Sequence, residues 1–432
     1  MNYYSLNKQA ADVSFKEATI FGQAPDKGLY FPRTIPVLDQ QFIHQIQSYS
    51  KQELAFRIML PYVGNTITEE ALYEIVAETI DFDFPLVPIN TNIYSLELFH
   101  GPTLAFKDVG ARFMSRCLGY FSIGQSSKIT VLVATSGDTG GAVANGFLGV
   151  EGVDVVILYP SGKVSPVQEL QLTTCGQNIT ALEIAGTFDD CQAMVKQAFM
   201  DADLIKHMQL TSANSINVAR WLPQQLYYFF ALQQWNEKKS FPVIAVPSGN
   251  FGNICAGLVA YLSGLPITHF IAACNINDTV PNYLRTGTYQ AKNAMATISN
   301  AMDVGSPSNF VRILEMFKNN HTQISQIISG YSITDLETIS TISQVFNTSK
   351  YILDPHGAVA YNALEQYLSN HQNQKGIILE TAHPIKFPET LESSIGQLLD
   401  IPDSAKNLFG KEKHSVLMNA DFDELKNYLL SR

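Results

Sequence analysis

The chain has few charges and no charge of one sign in a block. Only 16% of its 432 residues are Asp, Glu, Lys or Arg, and 39 acidic against 28 basic residues leave a net charge of −11. No basic stripe offsets that balance, which excludes an electrostatic grip on nucleic acid. No apolar run approaches the roughly 20 residues that a membrane helix needs. The opening Met1-Asn2-Tyr3-Tyr4-Ser5-Leu6-Asn7-Lys8 is polar. It has no apolar stretch of the signal-peptide kind, so a cytoplasmic location is expected. The five cysteines (Cys117, Cys175, Cys191, Cys255, Cys274) form no Cys-x-x-Cys pair, which predicts reduced thiols rather than a disulfide frame. Cys, His and carboxylates show no metal-ligand spacing, and no metal is expected. Repeats and low-complexity tracts are missing. So are a Gly-x-Ser-x-Gly elbow, a Walker loop and a Gly-x-Gly-x-x-Gly turn, which disfavours a serine hydrolase and nucleotide or dinucleotide binding.

What is present is a long, apolar, well-punctuated chain. Hydrophobic residues make up 46%, enough for a large buried interior and more than one domain. Helical periods over Tyr49–Leu60 and Glu69–Ile80, closed by Asp81-Phe82-Asp83-Phe84-Pro85, predict a mainly helical N-terminal lobe over residues 1–95. From there short apolar runs lead into Gly-bearing turns and then helical periods. Examples are Lys128–Ala134, Asp154–Pro160, Phe241–Pro247, Thr268–Asn275, Tyr351–Pro355 and Gly376–Glu380. Strands alternating with helices predict parallel α/β sheets, whose ligands gather at the carboxyl ends of the strands. The predicted division is an α/β region over 96–240, a second over 241–400, and a polar helical tail over 401–432.

Several segments carry chemistry. Lys107 ends Phe99-His100-Gly101-Pro102-Thr103-Leu104-Ala105-Phe106-Lys107, an apolar setting that lowers an amine's pKa and favours the nucleophilic form. Taken alone, it is read first as a solvated helix cap or a snorkelling stem. The loop Ser248-Gly249-Asn250-Phe251-Gly252-Asn253 joins a strand to a helix start. Free N–H groups there favour an anion, and the glycines permit close approach. An ordinary tight turn fits that loop too. Thr135-Ser136-Gly137-Asp138-Thr139 follows another strand and suits a carboxylate or a capped helix. Lys163 closes a third loop. Ser212–Arg220 presents Asn214, Ser215, Asn217 and Arg220, and Arg220 offers a bidentate grip on a phosphate. His100, His356 and His383 read as structural.

In order, FHGPTLAFKD, ATSGDTGGAVA, YPSGKVSP, SANSINVAR, VPSGNFGN and ETAHPIKF resemble the threonine synthase family, as do VSFKEAT and GLYFP near the start. The resemblance runs over nearly the whole chain. It implies pyridoxal phosphate enzymes of the tryptophan-synthase-β type (fold type II): two parallel-sheet α/β domains behind a mainly helical N-terminal lobe. It implies a carbon–oxygen lyase that turns O-phospho-L-homoserine and water into L-threonine and phosphate. Lys107 matches the family's Schiff-base lysine, and Ser248 with Gly249–Asn253 the cofactor phosphate loop. Thr381 matches the hydroxyl that meets the pyridine nitrogen. Thr135, Ser136, Asp138 and Thr139 match the loop that takes the substrate carboxylate, with Asp138 also facing the ring. Lys163, Asn214, Ser215, Asn217 and Arg220 match positions near the substrate phosphate. Asp138 stands where many relatives have asparagine, and Ser161 where some have a basic residue. A monomer or homodimer is expected. Serine or threonine dehydratases, cysteine synthases and a non-catalytic pyridoxal-phosphate-binding relative are the competing readings.

Overall fold

Ser50 and Thr68 accept the backbone N–H groups of Glu53 and Ala71 and start the helices Lys51–Val63 and Glu69–Thr79, close to the two predicted periods. The computed structural model describes residues 1–125, 127–237 and 240–432. Before those helices, Asn2–Ser5 pairs antiparallel with Val13–Ser14 on one side and Tyr30–Pro32 on the other. Strands this short leave no alternating signal to read in the sequence.

Two parallel sheets follow. The larger has six strands in the order Ile328–Ser332, His269–Cys274, Val243–Pro247, Gly376–Glu380, Ile93–Glu97, Leu86–Pro88, with only the last antiparallel. The smaller has five parallel strands in the order Val416–Asn419, Ile179–Ala185, Val153–Pro160, Ile129–Ala134, Gln209–Thr211. Ile129–Ala134, His269–Cys274 and Gly376–Glu380 are buried at every residue. Helices cover both faces of such strands, so they read as continuous apolar runs.

Sheet membership cuts across the linear division. Ile93–Glu97 pairs with Gly376–Glu380, and Val416–Asn419 pairs with Ile179–Ala185. Hydrophobic pattern marks a strand but not its partner. Tyr351–Pro355 corrects a strand expectation: Asp354 instead accepts the N–H of His356 and caps the helix Pro355–Ser369. Among the described residues no helix is long and apolar enough to cross a membrane.

Glycines set how closely some of these layers approach. A Cβ on Gly257, in the helix Gly252–Leu262, would lie 2.3 Å from the Tyr228 ring. The Tyr228 hydroxyl reaches the backbone carbonyl and side-chain oxygen of Asn253 at 3.0 Å each. Gly257→Ala therefore overpacks the support of the Gly249–Asn253 loop, and we expect a loss of about 1–3 kcal/mol in urea unfolding.

Candidate functional site

The site is assembled by main-chain pairing between two loops. Leu98 N–H donates to the Glu380 carbonyl at 3.0 Å, Phe106 N–H to Thr381 at 2.9 Å, and His383 N–H to Leu104 at 3.0 Å. Ala105 and Ala382 form the antiparallel bridge between them. Leu104 takes a positive φ of 58° to make the turn. Asp108 closes that turn by accepting the Thr103 N–H at 2.9 Å and the Thr103 hydroxyl. Tyr227 donates its hydroxyl to the Phe106 carbonyl. Lys107 is thereby set as the first residue of the helix Lys107–Ser122, beside Thr381.

Both residues line a cavity of about 2460 Å³ that runs between the two sheets' loop ends. Burial lowers the pKa of Lys107, with Lys386 and Arg220 adding to the effect and Asp138 opposing it. The Gly249–Asn253 loop lines the same cavity. A Cβ on Gly249 would lie 2.7 Å from Met302 Cα, so the backbone there has no room for a side chain. Phe251 is left-handed, with φ of 62°, and opens the helix Gly252–Leu262. Asn250 anchors the loop by accepting the Ser308 N–H at 3.1 Å. The Asn253 side-chain nitrogen is buried without a partner among the described residues.

Arg220 reaches the cavity from a third direction. Gly110 allows this: a Cβ there would lie 2.4 Å from the Arg220 carbonyl, so the Lys107 helix and the Val218–Trp221 helix approach closely. The Arg220 guanidinium is buried, and its Nε and Nη1 have no partner among the described residues. Burial holds its pKa at about 10. An unneutralised buried cation facing a cavity is a receptor for an anion.

Ser136, Thr139, Asn214 and Ser215 also line the cavity, and Lys163 stands exposed at its rim. Four expectations need correction. Asn217 does not face the cavity: its amide donates to the Thr19 and Ser212 carbonyls, and its oxygen accepts the Ala219 N–H. Ser248 is turned inward, with its hydroxyl on the Val246 carbonyl and its N–H on Ala273. The Thr135 hydroxyl touches the cavity wall but is engaged by the N–H groups of Gly137 and Gly140, so it caps the helix Asp138–Phe147. Asp138 binds protein cations and amides rather than facing the cavity: Lys386 at 2.7 Å and Gln168 at 3.0 Å. Burial alone would raise its pKa, but the ammonium groups of Lys386 and Lys107 hold it low.

Sequence reasoning missed Lys386, although it lies in the quoted ETAHPIKF; a lysine among Pro384, Ile385 and Phe387 was the available signal. It also missed Arg312, which lies in an ordinary helical pattern. Arg312 is fully buried, stacks 4.4 Å over Trp221, and donates to the carbonyls of Ser215 (3.1 Å), Ile216 (2.5 Å) and Tyr30 (3.3 Å). It thus ties the Ser212–Asn217 loop to the N-terminal lobe. Ser161 turns from the cavity to Glu183, at 2.7 Å. His356 has both ring nitrogens engaged, by Asp354 at 2.6 Å and by the Ala301 N–H at 3.3 Å.

A buried lysine with a lowered pKa, a glycine-built loop at a helix start and a threonine line one cavity at the ends of parallel strands, an arrangement suited to a phosphorylated cofactor. Residues 84–380 match the family of pyridoxal-phosphate-dependent enzymes, and the chain belongs to that class. Residues 2–80 match the threonine synthase N terminus and 357–429 the threonine synthase C-terminal family. The chain is 44% identical to a threonine synthase of Haemophilus influenzae and 41% to one of Escherichia coli, each over 100% of both chains. It superposes on the crystal structure of the Escherichia coli threonine synthase with a TM-score of 0.92, 40% identity and 100% coverage of both chains. On the pyridoxal-phosphate-bound threonine synthase of Brucella melitensis the TM-score is 0.93, at 34% identity, covering 99% of this chain and 98% of that one. This chain belongs to the threonine synthase family, and pyridoxal phosphate is its cofactor.

Burial also shapes the pH response near the site. It lowers the pKa of His383 to about 4, against 6.5 in an unfolded chain. The unfolded state therefore binds a proton that the folded state refuses, and stability falls as pH drops from 6.5 toward 4. Urea unfolding of His383→Gln at pH 7 and pH 5 should show a smaller acid loss than the parent protein.

Proposed function

We propose that this chain converts O-phospho-L-homoserine and water into L-threonine and phosphate, with Lys107 as the working amine. The observation that carries this reading is the buried guanidinium of Arg220, whose Nε and Nη1 have no partner among the described residues, in the same cavity as Lys107 and a separate glycine loop. Two anion sites beside one lysine match a phosphorylated cofactor and a phosphorylated substrate.

The residues fit pyridoxal phosphate. Gly249–Asn253 would take its phosphate, because backbone without side chains and a helix start meet there beside the unpartnered Asn253 amide. Thr381 would meet the pyridine nitrogen with a neutral hydroxyl. When bound, the cofactor supplies the electron sink that makes protons next to the amino-bearing carbon removable.

The chain's own groups do the rest. Lys107, with its proton loosened by burial, takes the proton from the substrate's Cα and then from Cβ. Arg220, with Lys163 at the rim, holds the γ-phosphate as it leaves. Ser136 and Thr139 offer hydroxyls to the substrate carboxylate, and Asn214 and Ser215 line the phosphate side. The proton taken from Cβ is returned at Cγ, which becomes the methyl group; water then adds its hydroxyl at Cβ, and Lys107 returns a proton to Cα. The cytoplasm, where the five free thiols stay reduced, is the fitting compartment for a monomer or homodimer.

Purified protein should carry a visible cofactor absorbance and release phosphate from O-phospho-L-homoserine faster than it turns over serine or threonine. Lys107→Ala should lose both the absorbance and the activity. A colourless, inactive parent protein would refute the reading. Arg220→Ala should lower kcat/KM on the order of 10²-fold through a lost charge-assisted pair. Unchanged kinetics in that variant would remove Arg220 from the phosphate site.

A further inference from the structure

We propose that Lys386 is a positioning residue that, by pairing with Asp138, controls how readily the Lys107 amine sheds its proton. The proposal rests on the reading of Lys107 as the working amine. Its basis is geometric. Lys386 ends the Pro384–Lys386 turn, directly after the segment whose main chain holds Leu104 and Phe106. Asp138 begins the helix that follows the Ile129–Ala134 strand of the other sheet. Their 2.7 Å ion pair therefore spans the two sheets' loop ends, beside the turn that carries Lys107, and Lys386 is only 1% exposed.

The charges around Lys107 explain what the pair does. Asp138 favours the ammonium form of Lys107, while Lys386 and Arg220 disfavour it. Lys386 also faces Asp108 and His383. Asp108 already accepts two bonds from Thr103, and burial pushes its carboxyl up. His383 is held neutral by burial. Asp138 is thus the carboxylate that governs Lys107, and Lys386 is the cation that offsets it. Without Lys386, an unbalanced carboxylate would keep Lys107 protonated. Burying an ion pair seldom repays its desolvation in stability. A charge-setting role accounts for a fully buried lysine that a methionine could replace in volume.

The test uses Lys386→Met, Lys386→Arg, Asp138→Asn and the double variant Asp138→Asn/Lys386→Met. Two readouts follow Lys107 without turnover. One is the pH midpoint of the holoenzyme's visible absorbance. The other is the pH midpoint of Lys107 acylation in the cofactor-stripped full-length chain, read by peptide mass spectrometry. We expect Lys386→Met to raise both midpoints by about one pH unit or more, which lowers labelling about tenfold at a fixed pH below the midpoint. Lys386→Arg should stay near the parent protein. Asp138→Asn should lower the midpoints, and the double variant should return toward the parent. Unmoved midpoints in Lys386→Met overturn the proposal, as does a double variant no nearer the parent than Lys386→Met. If Lys386→Met does not fold, Asp138→Asn against the double variant asks the same question, and no rise on adding Lys386→Met overturns it. Failure of phosphate release would refute the functional reading while leaving the labelling measurement intact.

Discussion

Everything in the site hangs on a short stretch of backbone pairing between Leu104–Phe106 and Thr381–His383. Two main-chain hydrogen bonds dock the turn before Lys107 onto the carboxyl end of the Gly376–Glu380 strand. That strand is central to the six-stranded sheet and wholly buried, so its end is as rigid as the sheet itself. Lys107 inherits that rigidity. A long, flexible amine is placed by its backbone, with Tyr227 and Asp108 fixing the residues on either side. Substituting a side chain around the turn perturbs packing, but the register of the bridge decides where the amine begins.

The second constraint is how charge is buried. The chain is acidic overall, yet the cavity gathers Lys107, Arg220 and, behind the wall, Lys386. These cations are not treated alike. Lys386 is neutralised at short range by Asp138, whereas two nitrogens of Arg220 have no partner among the described residues. On the proposed reading the difference divides their work: one pair sets a local field, and the guanidinium with two nitrogens left over receives an anion. Arg312 is a third case, a buried cation whose two terminal nitrogens donate to carbonyl oxygens and whose work is to hold a loop.

Asp138 shows why residue type alone misleads. As a carboxylate beside a phenolic ring it looks repulsive. In the folded chain it is an acceptor for Lys386 and Gln168, with its pKa pulled down despite burial. Its negative charge is consumed by the protein before any ligand arrives.

The sequence by itself determined the strand-loop-helix punctuation, the buried parallel strands and the placing of the Lys107 turn and the glycine loop at strand ends, because these depend on local period, turn chemistry and residue type. It determined the family too, because six motifs in one order are far more specific than any one of them. Only the tertiary structure decided which strands pair, since hydrophobicity marks a strand without choosing its neighbour; Ile93–Glu97 and Val416–Asn419 each join a sheet distant in sequence. It also decided which polar groups reach the cavity. Asn217 and Ser248 have the right chemistry but are turned to backbone groups, and Thr135 reaches the wall with its hydroxyl already claimed by backbone N–H groups. Lys386 became meaningful only when the fold set it 2.7 Å from a carboxylate 248 positions away. Contacts of that kind come from chain crossings, and no local pattern records them.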